Sequence, residues 1–238
     1  LVNSDEEIGS PESVDLISRI SRRAIRVFIP EPGMGEEGRL KTVRKGVSRF
    51  TLKVTGKAAH AGLDPEGGAS AILELSHLVQ SLHAMTDLDR GITVNVGVVA
   101  GGTRPNVIAP HATAEVDVRV LRAADAEEVE ERIRGLTPTV LGTSLKVLGG
   151  VLIPPLERTP RNRALWESAR EAALELDITL VEGVAGGGSD GNTTSLYTAT
   201  LDGLGAVGDG AHAAHEFLFV DRQVERCALL ARLLLMGP

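Results

Sequence analysis

VSRFTLKV, residues 47–54, sets apolar side chains at 50, 52 and 54 with polar ones between them. That period of two predicts a strand with one face buried. Working outward, residues 69–85 (ASAILELSHLVQSLHAM) repeat apolar side chains at helical spacing. Residues 92–99 and 112–120 alternate again, 125–134 read as a charged helix, and 145–147 as a last short strand. The order β-α-β-β-α-β is that of a ferredoxin-like split βαβ unit. It fills residues 46–152 as an insertion, and Pro154-Pro155 leads the chain back out.

The flanks read differently. Residues 1–3 look like the tail of a buried strand, and Ser10-Pro11 like a helix entry with Ser at the cap. The helix would turn Val14, Ile17, Ile20 and Ala24 inward. A short apolar strand is expected at 24–30, so acidic residues at 6, 7 and 31 would follow strands, where open parallel sheets gather ligands. Beyond the insertion come a helix over 161–177, a buried strand over 178–181, a glycine-rich turn at 186–192, and a final helix capped by Asp221 and running to Leu235. Segments 1–45 and 153–238 therefore predict one discontinuous α/β domain split by the insert.

Of the 238 residues, 42% are apolar and 24% charged, and no apolar run is long enough for a membrane helix. A net charge of −7 argues against nucleic acid as a partner. Cys227 is the only cysteine, so no intrachain disulfide forms and nothing calls for an oxidising compartment. A cytoplasmic location is expected, with a leader upstream left open. The start at Leu1, without a Met, reads as the opening of a truncated chain.

Chemistry concentrates in a few places. Glu6 and Glu7 are adjacent carboxylates that can divide two tasks, one binding a cation and one moving protons. Glu31 precedes a proline at the end of an apolar run. His212 lies in a glycine-rich stretch that lets backbone approach closely, with Glu216 four residues on as a supporting acid; His215 reads as a surface histidine. His60, between small neighbours, presents a bare imidazole suited to an oxyanion. Arg119 offers a fork for a carboxylate, or else a cross-strand pair with an aspartate. Gly187-Gly-Ser-Asp-Gly191 fits G-x-S-x-G, with Asp209 and His212 following in serine-hydrolase order. That rival leaves Glu6, Glu7 and Glu31 without a task and sets Ser189 several residues past its strand. No Gly-Lys-Ser/Thr follows the glycines, which speaks against a phosphate cradle.

Six ordered motifs carry a resemblance: Asn3-Ser-Asp-Glu-Glu-Ile-Gly-Ser10, Gly56-Lys-Ala-Ala-His-Ala-Gly62, Asn106-Val-Ile, Asp117-Val-Arg119, Gly186-Gly-Gly-Ser-Asp-Gly191 and Gly210-Ala-His212 with Glu216. Together they resemble the di-zinc aminoacylase/carboxypeptidase family, which includes glutamate carboxypeptidases, acetylornithine deacetylase and succinyl-diaminopimelate desuccinylase. The glycine-rich segments look most like the bacterial glutamate carboxypeptidases. The resemblance implies that Glu6 is the general base and that Glu7 and His212 share one zinc. It places Glu31 on the second zinc, with cobalt or manganese as other metals. It also implies that His60, Asn106 and Arg119 meet the substrate from a lid that forms the homodimer, with Gly188 and Ser189 at the substrate. The implied reaction is hydrolysis of an amide that releases an amino acid with a free carboxylate. The family's upstream His-x-Asp and bridging aspartate have no counterpart here, so a partial ligand set is expected. The alternative from another class is a non-catalytic, dimerising or small-molecule-binding module.

Overall fold

In the computed structural model, which describes residues 1–237, the chain separates into two compact units. One comprises Leu1–Lys45 with Ile153–Pro238, the other Gly46–Leu152. In chain order the first stretch holds α1 (Val14–Ser21), β1 (Arg26–Ile29) and β2 (Leu40–Arg44). The inserted unit holds β3 (Gly46–Thr55), α2 (Ala71–His83), β4 (Thr93–Gly101), β5 (His111–Val120), α3 (Ala123–Arg134) and β6 (Ser144–Ile153). There follow α4 (Pro160–Leu174), β7 (Glu182–Ala185), α5 (Asp190–Thr194), β8 (Ala199–Asp202), β9 (Gly208–Asp209), β10 (Phe217–Leu218) and α6 (Val220–Leu234). No described helix is long and apolar enough to cross a membrane.

The inserted unit has the ferredoxin-like sheet order β4-β5-β3-β6. β3 and β5 run antiparallel with Phe50 opposite Val116, Leu52 opposite Ala114 and Val54 opposite Ala112. This register puts both apolar rows on one face, where Leu75, Leu78 and Leu82 of α2 and Val129 and Ile133 of α3 cover them. Ser70 caps α2 by accepting from the Leu73 N–H at 3.2 Å. β6 extends well past the expected 145–147. Gly149 (φ 95°), just past that expected end, lies so close to the Arg49 carbonyl that a Cβ would stand 2.1 Å from that oxygen. The glycine therefore keeps the edge strand paired rather than ending it.

The other unit has a mixed sheet, β1-β8-β2-β7, not a purely parallel one. β1 runs parallel to β8 and β2 parallel to β7, but β2 meets β8 antiparallel. Leu40, Leu201, Leu229, Leu233 and Trp166 fill its core. Several local expectations are corrected here. Residues 1–3 form no strand, and Val2 is exposed. Helix α1 starts three residues later than Ser10-Pro11 predicts, and of its apolar positions Ile17 is buried whereas Val14 and Ile20 are not. Ile178 and Leu180 are buried without forming a strand. The Ile178 N–H closes the end of α4 by donating to the Ala173 carbonyl at 2.9 Å, and the true strand follows at Glu182. Buried apolar character alone does not separate these cases. Phe219, not Asp221, holds the cap position of α6.

Phe50→Ala should cost about 3–5 kcal/mol, since it opens a cavity in a closed core. Val99→Ala, at an exposed edge-strand position, should cost about 0.5 kcal/mol or less. Urea unfolding of both variants checks the contrast.

Candidate metal and substrate cleft

In the unit formed by the chain's two ends, a cleft of about 980 Å³ is lined by Glu7, Glu31, Lys41, Arg44, Gly188 and His212, with Asp209 and Glu216 beside them. Its floor depends on a strand that hydrophobic patterning conceals. β2 buries Leu40, Thr42 and Arg44 on one face, so two of its three inward residues are polar. The Arg44 Nε and Nη2 donate to the two carboxylate oxygens of Asp202 at 2.8 and 2.9 Å, a bidentate fork in which both partners are buried. Its Nη1 donates to the carbonyls of Gly187 and Gly188 at 3.0 and 3.2 Å. Asp202 also accepts from the Ser189 hydroxyl at 2.5 Å.

That hydroxyl is committed to structure. Ser189 caps α5, receiving the Gly191 N–H at 3.0 Å, while the Asn192 side chain receives the Ser189 N–H at 2.9 Å. The pair makes a capping box. The bonds of Ser189 run to Asp202 and to α5, with no imidazole among these partners, so the serine-nucleophile reading gains nothing from the geometry. Gly188 lines the cleft; Ser189 lies buried behind it.

Glu6 and Glu7 occupy a single turn of 3-10 helix rather than a strand end. Two tethers hold that turn. Asp5 accepts from the Glu12 and Ser13 N–H groups at 2.9 and 3.1 Å and from the Ser13 hydroxyl, so the side chain that caps the approach to α1 is that of Asp5, while Ser10 contributes its carbonyl, which accepts from the Val14 N–H at 2.9 Å. These bonds keep the Asp5 carboxyl below its ordinary range, the Ser13 hydroxyl contributing most. Ser10 and Asn3 are turned to Asp190, at 2.6 and 2.8 Å, which ties the acidic turn to the glycine-rich loop. Ser10 accepts a left-handed φ of 53° to make its bond. Partial burial, then the charges of Glu31, Asp190 and Glu7, raise the pKa of Glu6, against the pull of Arg44. Lys41 is shifted down, first by burial and then by Arg44.

His212 is carried by the turn between β9 and β10, which pair antiparallel with Phe217 opposite Asp209. Its φ is 64°, a left-handed value uncommon outside glycine. His215 is exposed and does not line the cleft. As donors, Glu7, Glu31 and His212 suit a borderline divalent ion, being hard oxygens and an imidazole facing one space. Among the described residues, however, no three His, Cys, Asp or Glu side chains group closely enough to hold one ion. The residues present fit as contributors to a metal site and do not by themselves complete one.

The remaining expected site residues belong to the inserted unit. His60 and Asn106 are brought together there: the Ala61 N–H donates to the Asn106 carbonyl at 3.0 Å, and His60 bridges to Val107. The His60 Nδ1 accepts from the Gly62 and Leu63 N–H groups at 3.2 and 3.1 Å. This network assigns the neutral tautomer with its proton on Nε2, leaving a donor directed away from the loop. Arg119 is not with them. Its fork lies on Asp117 of the same strand, at 2.8 and 3.2 Å, and Asp117 also lies 4.0 Å from Arg49 across the sheet. The pairing runs along the strand rather than across it. Asn3, Ser10 and Asp190 stand inside the motifs without their mutual pairing being legible there, and Arg44 and Asp202 had no signal in the sequence.

Residues 42–142 match the model of the Peptidase dimerisation domain. Carboxypeptidase G2 of Pseudomonas sp. (strain RS-16) is 29% identical over 240 residues, covering 99% of this chain and 58% of that protein. Acetylornithine deacetylase of Myxococcus xanthus is 29% identical over 246 residues, covering 98% of this chain and 63% of that protein. Among solved structures, the YXEP protein of Bacillus subtilis, described as a dinuclear metal-binding peptidase, superposes with a TM-score of 0.68 at 18% identity. That match covers 96% of this chain and 61% of that one, and it carries the fold. The chain thus spans about three-fifths of the length of these relatives.

Arg44→Met should destabilise its unit by about 3–5 kcal/mol, because it strands the buried Asp202 carboxylate. The double variant Arg44→Met with Asp202→Leu should recover much of that loss. Urea unfolding of the single and double variants measures it.

Proposed function

We propose that the chain belongs to the M20 family of metallopeptidases and deacylases and that the protein carrying it hydrolyses an amide bond, a reading supported by the dimerisation-domain match and by the similarity to carboxypeptidase G2 and acetylornithine deacetylase. The product is an amino acid with a free carboxylate, released from a dipeptide or an N-acyl amino acid. The observation that supports this reading is the cleft that Glu7, Glu31 and His212 all line, with Glu6 close enough to feel the charges of Glu7 and Glu31.

Glu7 and His212 would hold one divalent ion and Glu31 a second, zinc by the nature of the donors, with cobalt or manganese able to replace it. When bound, such ions polarise the scissile carbonyl and acidify a water. Glu6 takes the proton of the attacking water on its carboxylate and returns it to the leaving amine, a role worth about 10²–10⁴-fold. A carboxyl whose pKa is raised by burial and by neighbouring acids is a better proton acceptor, which suits it to that task. The His60 Nε2–H donates to the oxyanion, a contribution of about 2.7–4 kcal/mol, and Asn106 stands beside it for the substrate. Arg119 serves a substrate carboxylate only by exchanging Asp117 for it. The inserted unit, through its dimerisation-domain character, makes a homodimer.

A second reading rests on the absence of a three-donor group among the described residues. The 238-residue chain taken alone then acts as a dimerising or small-molecule-binding module.

Glu6→Gln in the metal-loaded protein should lower kcat by about 10²–10⁴-fold and leave zinc content unchanged. His212→Ala should instead lower zinc content. Metal analysis alongside assays on N-acyl amino acids and dipeptides checks both, and undiminished turnover by Glu6→Gln reassigns the base. For the isolated chain, fewer than two zinc ions bound per subunit supports the second reading.

A further inference from the structure

A substrate with a free carboxylate requires a cation to receive it, and the cleft has few to give. Lys41 and Arg44 are the lysine and arginine among the residues that line it. The guanidinium of Arg44 is committed, with its Nε and Nη2 on Asp202 and its Nη1 on the Gly187 and Gly188 carbonyls. Lys41 differs. Among the described residues its ammonium makes no hydrogen bond and no ion pair within 4.0 Å, although it lies half-buried on β2 at the cleft wall. Glu31 pairs at 3.8 Å with Arg44 rather than with Lys41. The Arg119 fork, in the inserted unit, is filled by Asp117.

From this distribution of charge we propose that Lys41 is a specificity-determining residue whose ammonium receives the free carboxylate of the substrate within the cleft. The inference rests on the proposed amide hydrolysis and deepens it: the substrate class is acids, and the same compounds with that carboxylate amidated are excluded. Two cleft acids, Glu7 and Glu31, are the donors assigned to divalent ions, so a bound substrate would not meet them as free charges. A lysine delivers a point charge on a flexible stem, which suits an end-on carboxylate without demanding two parallel bonds.

The test pairs Lys41→Met and Lys41→Arg with Arg119→Met in the metal-loaded protein. The substrates are an N-acyl amino acid or dipeptide that the unmodified protein turns over and its C-terminal amide. Lys41→Met should raise KM for the acid by about tenfold or more, with kcat within about threefold. The amide should be no worse for the variant than for the parent, and Lys41→Arg should restore most of the affinity. Equal losses on acid and amide, or a selective loss only in Arg119→Met, would overturn the assignment. Binding is read separately by titrating glutarate, against glutaramate, into the metal-loaded protein by calorimetry. Glutarate binding that disappears in Lys41→Met, in a protein that hydrolyses nothing offered, sustains the carboxylate site and refutes the hydrolase reading. Glutarate binding unchanged by Lys41→Met, or absent from the parent, refutes the carboxylate site. Circular dichroism of each variant separates a local change from failure to fold.

Discussion

The buried pair between Arg44 and Asp202 is the constraint on which the cleft depends. One guanidinium spans the middle of the mixed sheet, from β2 to β8, and its remaining arm holds the glycine run that leads into α5. Asp202 in turn takes the Ser189 hydroxyl that caps α5, so strand, loop and helix share one ion pair. Placing two charges out of water is costly, and such a pair contributes less to net stability than to choosing one arrangement. Here the arrangement it chooses is the shape of the glycine loop at the cleft wall. Gly191 has no room for a side chain, since a Cβ there would meet the Asp202 carboxylate at 2.5 Å.

A second tether, weaker and more exposed, holds the acidic turn against that same loop. Asn3 and Ser10 both reach Asp190, the first residue of α5. The Glu6 carboxylate is held within range of the charges of Glu31, Asp190 and Glu7, although like charges repel. A fold that keeps such a cluster together invests local stability in electrostatic potential, which divalent cations would relieve. The left-handed φ of Ser10 belongs to the same investment.

How much could be read in advance follows from what each segment buries. The inserted unit was legible because Phe50, Leu52 and Val54, and Val116, Val118 and Val120, alternate cleanly against polar neighbours, and because residues 71–82 repeat at helical spacing. The ordered motifs span the same length of chain over which carboxypeptidase G2 and acetylornithine deacetylase are similar to it. β2 was not legible, since its inward face carries Thr42 and Arg44 and so lacks an apolar rhythm. The start of the chain misled for the opposite reason: Leu1 and Val2 are apolar yet exposed, and apolar character alone does not demand a strand. Glu7 and His212 lie in motifs the sequence displays, but the bonds that hold the Glu7 turn and the glycine loop act across more than a hundred residues of chain. Ser10 and Asp190, or Arg44 and Asp202, meet only after folding.

The backbone of His212 carries one more consequence. A histidine at φ 64° sits where glycine or asparagine would be more comfortable, so the turn between β9 and β10 is less stable than its length requires. Selection acting on thermal endurance alone would exchange this imidazole for one of those residues. The nitrogen donor proposed at this position would thus be held at a cost in robustness, and a library screened only for heat resistance would remove it while improving the fold.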